Sequence, residues 1–323
     1  MANKLPVMVA HGGAWAVPDA TSEETLQCVK NAAKIGYRIL LQGGSCIDAV
    51  VAVVSALEDN PLYDAGKGSL LTTNKDIEMH AMVMKGDTMK CGGVLGVQRV
   101  KNPVQVARLV MEKTEHCMLD GENSLLLAKE HNVPEMPLEY FVTDSAQKEF
   151  DTFMKYRNCV DTLFNSKRDH DTVGAVALDL DGNVACATST GGITGQMPGR
   201  VSDSGIPGSG GFADNNSLAV SSTGHGESII KVSLARLASL HSEQGCSPQE
   251  SVNKALKFMK DRTEGHGGAI ALDKKGRVGI GFTTIKMSWA VIGGKLELTE
   301  NNGQNRIAYG ILPNELRVEQ FES

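Results

Sequence analysis

The chain has 323 residues, of which 41% are hydrophobic and 22% charged, with 35 glycines; such a chain can bury a full core as one large domain or two and is rich in turns. A formal net charge of −6 with no Lys/Arg cluster argues against a nucleic-acid or anionic-membrane partner and favours a small-molecule substrate. Seven cysteines (Cys28, Cys46, Cys91, Cys117, Cys159, Cys186 and Cys246) are odd in number and contain no C-x-x-C pair, which suits a reducing compartment better than a disulfide framework or a zinc site.

The first apolar run, Leu5 to Ala10, is too short for a signal peptide or a membrane span, so a cytosolic protein is expected. Val7 to Ala10 reads as a buried strand ending at His11-Gly12-Gly13, where the histidine is either catalytic or a hydrogen-bonded structural group. Thr21-Ser22-Glu23-Glu24 has the form of a capping box and predicts a helix to Gln42. A second helix, starting after Ser45 and apolar nearly all round, belongs in the core. The loop Leu57 to Ser69 alternates carboxylates with tight turns; it is either a plain loop or one that ligates a hard cation through carbonyls. Strands near Ile77–Met84 and Gly92–Val97 follow, then helices Pro103–Lys113 and Glu122–His131. From Val133 to His170, prolines, a weakly amphipathic helix Ser145–Phe164 and a polar run predict a flexible segment.

That polar run stops at Asp171-Thr172, and Thr172 opens the apolar strand Val173–Leu178. The turn Asp181-Gly182-Asn183 and a strand Val184–Thr188 complete a hairpin. Gly174-Ala175-Val176-Ala177-Leu178-Asp179 recurs almost verbatim as Gly268-Ala269-Ile270-Ala271-Leu272-Asp273, so the hairpin itself is structural, and threonine favours strands in any case. Only the first copy is preceded by Asp-Thr. A threonine whose own α-amine is free can act as a hydrolytic nucleophile, because that amine titrates at about 7.7–8.0 and can take the hydroxyl proton. For Thr172 this requires cleavage between Asp171 and Thr172. Further on, Gly208-Ser209-Gly210-Gly211-Phe212-Ala213 lacks the surrounding βαβ unit of a dinucleotide site. A strand Ala219–Ser222, a turn Thr223-Gly224-His225-Gly226-Glu227 and a helix Ser228–Gln244 form a junction whose N–H groups could hold an oxyanion. Helix Pro248–Arg262 and four short strands to Leu298 read as scaffold, and Asn301–Ser323 as a weakly structured tail.

With Thr172, Thr190, Arg200, Asp203 and the Thr223–Glu227 turn in view, the sequence resembles the isoaspartyl peptidase/L-asparaginase family of N-terminal-nucleophile hydrolases over roughly residues 5 to 295. The resemblance implies an α+β fold, the four-layer αββα sandwich, with 1–171 and 172–323 as the two subunits of one structural domain after self-cleavage, assembled as an (αβ)2 homodimer. It implies Thr172 as nucleophile with Thr190 near its hydroxyl, and Thr223 with the Gly224 N–H as oxyanion hole. Arg200 and Asp203 would clamp the α-carboxylate and α-ammonium of an aspartyl unit, while Gly226 shapes the amine site and Asp64 contacts the substrate. No catalytic cofactor is expected. A structural sodium ion is implied on the carbonyls of Leu57, Glu58, Asn60, Tyr63, Ala65 and Lys67. Two positions depart from the family pattern: Asp64 is often asparagine in relatives and His80 is usually aspartate. The competing readings are a glycosylasparaginase and an uncut, non-enzymatic descendant of the family.

Overall fold

Strand β1 (Val7–Trp15) is buried on both faces, and its alternation sorts its side chains between two cores. Met8 and Ala10 join a cluster with helices α1 (Asp19–Leu41) and α2 (Cys46–Glu58), whereas Val7 and Val9 join a second cluster on the opposite face, as the period of two along a strand requires. The computed structural model describes residues 5–15, 17–155, 172–296 and 306–321. Among these, β1 lies inside a nine-stranded sheet of order β14-β13-β11-β1-β5-β6-β2-β3-β4. Its other members are β2 (Met79–Lys85), β3 (Cys91–Val97), β4 (Met118–Asp120), β5 (Val173–Leu178), β6 (Val184–Thr190), β11 (Lys286–Ile292), β13 (Arg306–Gly310) and β14 (Arg317–Gln320).

The second sheet, of order β12-β10-β9-β8-β7, consists of β7 (Gly211–Ala213), β8 (Ala219–Gly224), β9 (Gly267–Leu272), β10 (Arg277–Phe282) and β12 (Lys295–Leu296). It packs through β7, β8 and β9 against β1, β5 and β6. Helices α1, α2 and α3 (Pro103–Lys113) pack on the large sheet, and α4 (Gly121–Glu130), α5 (Leu138–Phe141) and α6 (Asp144–Lys155) follow in the chain. The helices after the second half's first strands, α7 (Gly226–Val232), α8 (Leu234–Glu243) and α9 (Pro248–Thr263), include two, α8 and α9, that pack on the small sheet. The two near-identical segments thus form one hairpin in each sheet. In both, the closing aspartate caps the turn: Asp179 Oδ1 accepts the Asn183 N–H at 2.8 Å, and Asp273 Oδ1 accepts the Lys275 and Arg277 N–H groups, each at 2.9 Å.

Several expectations are corrected. β1 does not stop at His11 but continues to Trp15 through a register shift between His11 and Ala14. Helix α1 begins at Asp19, ahead of the Thr21–Glu24 box, because the Thr21 and Ser22 hydroxyls donate to the Pro18 carbonyl instead of capping. Capping boxes close instead at Ser45 with Asp48 and at Ser247 with Glu250. The helix expected over Ser228–Gln244 starts at Gly226 and breaks at Ser233, which adopts left-handed angles (φ 49°, ψ 58°), and the Ala235 and Arg236 N–H groups beyond it bond the Ser209 and Gly208 carbonyls. Phe141 and Phe150 are buried, anchoring part of the segment read as flexible; the remainder of the Ser145–Phe164 helix, His170, Asp171 and Cys159 lie outside the described residues. The tail is not weakly structured: β13 pairs with β11 and β14 with β13. The other six cysteines are free, and among the described residues no helix is long and apolar enough to cross a membrane.

Candidate active site

Thr172 stands one residue ahead of β5 and is buried, with its Oγ1 3.4 Å from Ser204 Oγ. The register that pairs Val173 with Ser189 continues to Thr190 on β6, and Thr190 itself pairs with His80 on β2. Alternation therefore sets Thr172, Thr190 and His80 in one row across three neighbouring strands, on the face that looks toward the small sheet. Thr190 Oγ1 accepts the Gly192 N–H at 3.2 Å.

Thr223 reaches this row from the opposing sheet. Two residues inward from Thr172, Gly174 packs directly on Ser221 of β8, so closely that a Cβ at 174 would collide with the serine hydroxyl. Two residues onward from Ser221 is Thr223, fully buried, its Oγ1 accepting the Ala14 N–H at 3.1 Å. That contact occupies a lone pair and leaves the hydroxyl proton to donate. Gly224 follows at φ 123°, with Gly267 Cα and the His266 carbonyl in the space a side chain would need; only glycine holds the N–H there without strain.

Arg200 and Asp203 converge on Gly226. A Cβ at 226 would lie 2.9 Å from Arg200 Nη2 and 2.8 Å from Asp203 Oδ1, so glycine leaves a methyl-sized space between opposite charges. Arg200 does not pair with Asp203: its Nε and Nη2 make a two-pronged contact with Glu227 at 2.8 and 3.1 Å, and Nη1 donates to Gln196 Oε1 at 3.3 Å. Burial opposes ionisation of Glu227, but its bonds to Arg200 outweigh this and hold it below its usual range. Asp203, fully buried, is pushed up to about 6 by burial, with Arg200 and Ser202 pulling the other way. Among the described residues its Oδ2 has no hydrogen-bond partner.

Asp64 lies on the other flank. The Gly191 N–H donates to its carbonyl at 2.8 Å, and its carboxyl lies against Gly191, beside Thr190. Burial raises this carboxyl well above the usual carboxylate range, Glu149 adds to the effect and Arg200 opposes it. Burial thus favours its uncharged form, which is close in shape and charge to asparagine. His80 is also neutral, pushed down to about 3 by burial and by Arg200; its Nδ1 accepts the Gly96 N–H at 3.0 Å. His11 is structural. Burial brings it down to about 3, Nδ1 accepts the Gly13 N–H, and Nε2 bonds Ser221, which bonds Thr188 in turn.

The residues expected to ligate a cation lie apart from this row. Leu57 and Glu58 end α2, where the helix dipole presents negative carbonyl ends, and Asn60, Tyr63, Ala65 and Lys67 continue the loop. The Glu58 carbonyl accepts the Lys67 N–H at 2.7 Å, and Gly66 and Gly68 pack so closely on the Glu58 and Tyr63 carbonyls that a Cβ at either would collide with them. Carbonyl oxygens are the neutral donors a hard cation takes; those of Leu57, Glu58 and Asn60 each also accept a backbone N–H within the loop.

Sequence reasoning gave no role to Ser204, Gln196, Ser202 or Glu227. Each is within four residues of Arg200 or inside the Thr223–Glu227 turn, so proximity to those motifs was the available signal. Ser202 and Gln196 bond near neighbours in the same loop, whereas Ser204 and Glu227 reach Thr172 and Arg200 in other segments.

The asparaginase family model matches residues 4–299. The chain is 47% identical over 287 residues to the isoaspartyl peptidase/L-asparaginase of Danio rerio, covering 88% of this chain and 92% of that protein. It is 46% identical over 286 residues to the protein of the same name in Homo sapiens, with coverage of 88% and 92%. It is 38% identical over 302 residues to the isoaspartyl peptidase of Escherichia coli (strain K12), with coverage of 89% and 93%.

Proposed function

The chain belongs to the asparaginase family, and from that membership we propose that it is a self-cleaving threonine hydrolase acting on L-asparagine and on β-aspartyl dipeptides. The observation that carries the reading is the convergence at one end of two facing strands: a buried Thr172 at the head of β5, and Thr223-Gly224 at the end of β8. The layering of helices on either side of two packed sheets supports the αββα sandwich of N-terminal-nucleophile hydrolases.

Self-cleavage between Asp171 and Thr172 gives chains 1–171 and 172–323 and frees the Thr172 amine. That amine takes the proton from Oγ1 as the oxygen attacks the side-chain carbonyl of the substrate. The Thr223 hydroxyl and the Gly224 N–H donate to the developing oxyanion, a contribution of about 2.7–4 kcal/mol per donor in such sites. Collapse breaks the C–N bond, and the leaving amine departs with the proton held by the Thr172 ammonium. Water, deprotonated by the same amine, then hydrolyses the β-aspartyl ester and releases aspartate. Arg200 receives the α-carboxylate and Asp203 the α-ammonium. Neither His11 nor His80 acts as base, since both are buried neutral rings with an acceptor nitrogen already engaged.

A sodium ion on the Leu57, Glu58, Asn60, Tyr63, Ala65 and Lys67 carbonyls would stiffen the loop that carries Asp64. The cleaved protomer pairs as an (αβ)2 dimer in the cytosol, where the cysteines, six of them free among the described residues, stay reduced. Supplying the cleaved enzyme with L-asparagine, β-Asp-Leu, α-Asp-Leu and an N-glycosylated asparagine tests the reading. Hydrolysis of the first two, with the α-linked peptide untouched, is expected because the clamp needs a free α-carboxylate. Equal hydrolysis of α-Asp-Leu would refute the clamp, and preference for the glycosylated compound would make the protein a glycosylasparaginase.

A further inference from the structure

Ser202 is buried at the head of the short 3-10 turn Asp203–Gly205, and its hydroxyl has two engagements. It accepts the Ser204 N–H at 3.3 Å and contacts Asp203 Oδ1 at 3.1 Å. A carboxylate only accepts, so the single hydroxyl proton is directed at Oδ1. Asp203 sits where water does not reach, and few groups support its charge. Arg200 attracts it, Glu227 on α7 opposes it, and His80 on β2, a neutral ring, adds no charge. Among the described residues Oδ2 has no partner. Ser202 therefore holds Oδ1, the oxygen that faces the space beside Gly226, and leaves Oδ2 without a partner. The same turn carries Ser204, whose Oγ lies 3.4 Å from Thr172 Oγ1, so the orientation of this turn is shared between the ammonium site and the nucleophile.

We propose that Ser202 is a positioning residue that keeps Asp203 ionised and aimed at the α-ammonium of the substrate. The proposal rests on the reading of Arg200 and Asp203 as the substrate clamp. Its consequence is selective. Removing the hydroxyl weakens ligands that carry an α-ammonium and spares those that lack one, and it moves the acid limb of kcat/KM to higher pH, because Asp203 loses a bond that favours its charged form.

The test compares wild type, Ser202→Ala and Asp203→Asn as self-cleaved enzymes, using L-aspartate and succinate as competitive inhibitors of L-asparagine hydrolysis. Succinate matches L-aspartate but has no amine. For Ser202→Ala the L-aspartate inhibition constant should rise about tenfold, as expected for loss of a hydrogen bond to a charged group, with succinate inhibition unchanged and the acid limb displaced upward. Should Ser202→Ala fail to cleave itself, the isosteric pair Ser202→Thr and Ser202→Val gives the same contrast, with threonine restoring wild-type behaviour and valine not. Equal weakening of both inhibitors, or an unmoved acid limb, overturns the role of Ser202. If Asp203→Asn binds L-aspartate as wild type does, the clamp reading has failed, which is a separate result.

Discussion

Asp203 combines two demands that oppose each other, since a carboxylate that must attract an ammonium is buried where its charge is costly. Its folded-state value of about 6 exceeds the ordinary 3.8, so the folded protein binds the proton more tightly than the unfolded chain does. The stability this provides is complete below about pH 3.8 and is lost as pH rises through about 6. At pH 7 the ionised group destabilises the fold, and Asp203→Asn should raise the melting temperature there while abolishing tight binding of L-aspartate. A thermal melt at pH 7 showing Asp203→Asn less stable than wild type would contradict this. Activity should follow the opposite trend, with kcat/KM falling below about pH 6 as Asp203 takes up its proton. Gly226 offers a steric test of the same cradle. It sits in the first turn of α7 and needs no left-handed angles, so alanine is acceptable to the helix. Its methyl would nonetheless occupy the space between Arg200 and Asp203. Gly226→Ala should fold and cleave itself but show a KM for L-asparagine raised by at least about tenfold, equivalent to 1.4 kcal/mol; an unchanged KM would place the substrate elsewhere. Thr172 and the Thr223-Gly224 turn drew attention from the sequence because a strand start or a glycine adjoins them, whereas Arg200 and Asp203 entered only through the family resemblance. The Glu227 salt link and the Ser204 contact were not legible, because they join segments 27 and 32 residues apart.

Elements of strong period were read from the sequence with little error: α2, α3, β5 and the two repeated hairpins. Each is long, or carries its own turn and capping signals. Elements recruited by tertiary contact were missed. β4 and β7 have three residues each, too few for a period, and the α7–α8 break at Ser233 follows from loop carbonyls that meet the start of α8 from Gly208 and Ser209. The C-terminal strands are the clearest case. Their sequence is mixed in polarity, yet Ile307, Ala308 and Phe321 are buried. Phe321 stacks edge-on against Tyr37 of α1 with ring centroids 5.3 Å apart, and Glu319 of β14 bonds Lys30 of the same helix at 2.7 Å. These segments therefore hold α1 against the sheet. Phe321→Ala should cost about 3–5 kcal/mol, as truncation of a buried aromatic does, and lower the denaturant midpoint while leaving KM unchanged, since no site residue touches it. A variant as stable as wild type would return the tail to the status of a loose end.

At the scale of the molecule, the order of strands in the large sheet determines what self-cleavage does. The first product, 1–171, contributes β1, β2, β3 and β4, and the second, 172–323, contributes β5, β6, β11, β13 and β14. The two sets interleave: β1 of the first product lies between β11 and β5 of the second, and β6 of the second pairs with β2 of the first. Separating the products would break three ladders within one sheet and open the core that α1 and α2 share with β5, which is most of the free energy of folding rather than that of an interface between folded parts. Cleavage at Asp171–Thr172 would therefore free an amine without freeing a subunit. Under native conditions the cut protein should elute from a sizing column at the same volume as uncut Thr172→Ala. On a denaturing gel it should resolve into two bands, whereas Thr172→Ala remains one chain. Thr172→Ser, which keeps a hydroxyl, should still cut. Dissociation of the two products without denaturant would mean that the strands do not interleave as described, and an active single chain would mean that the Thr172 amine is not the base.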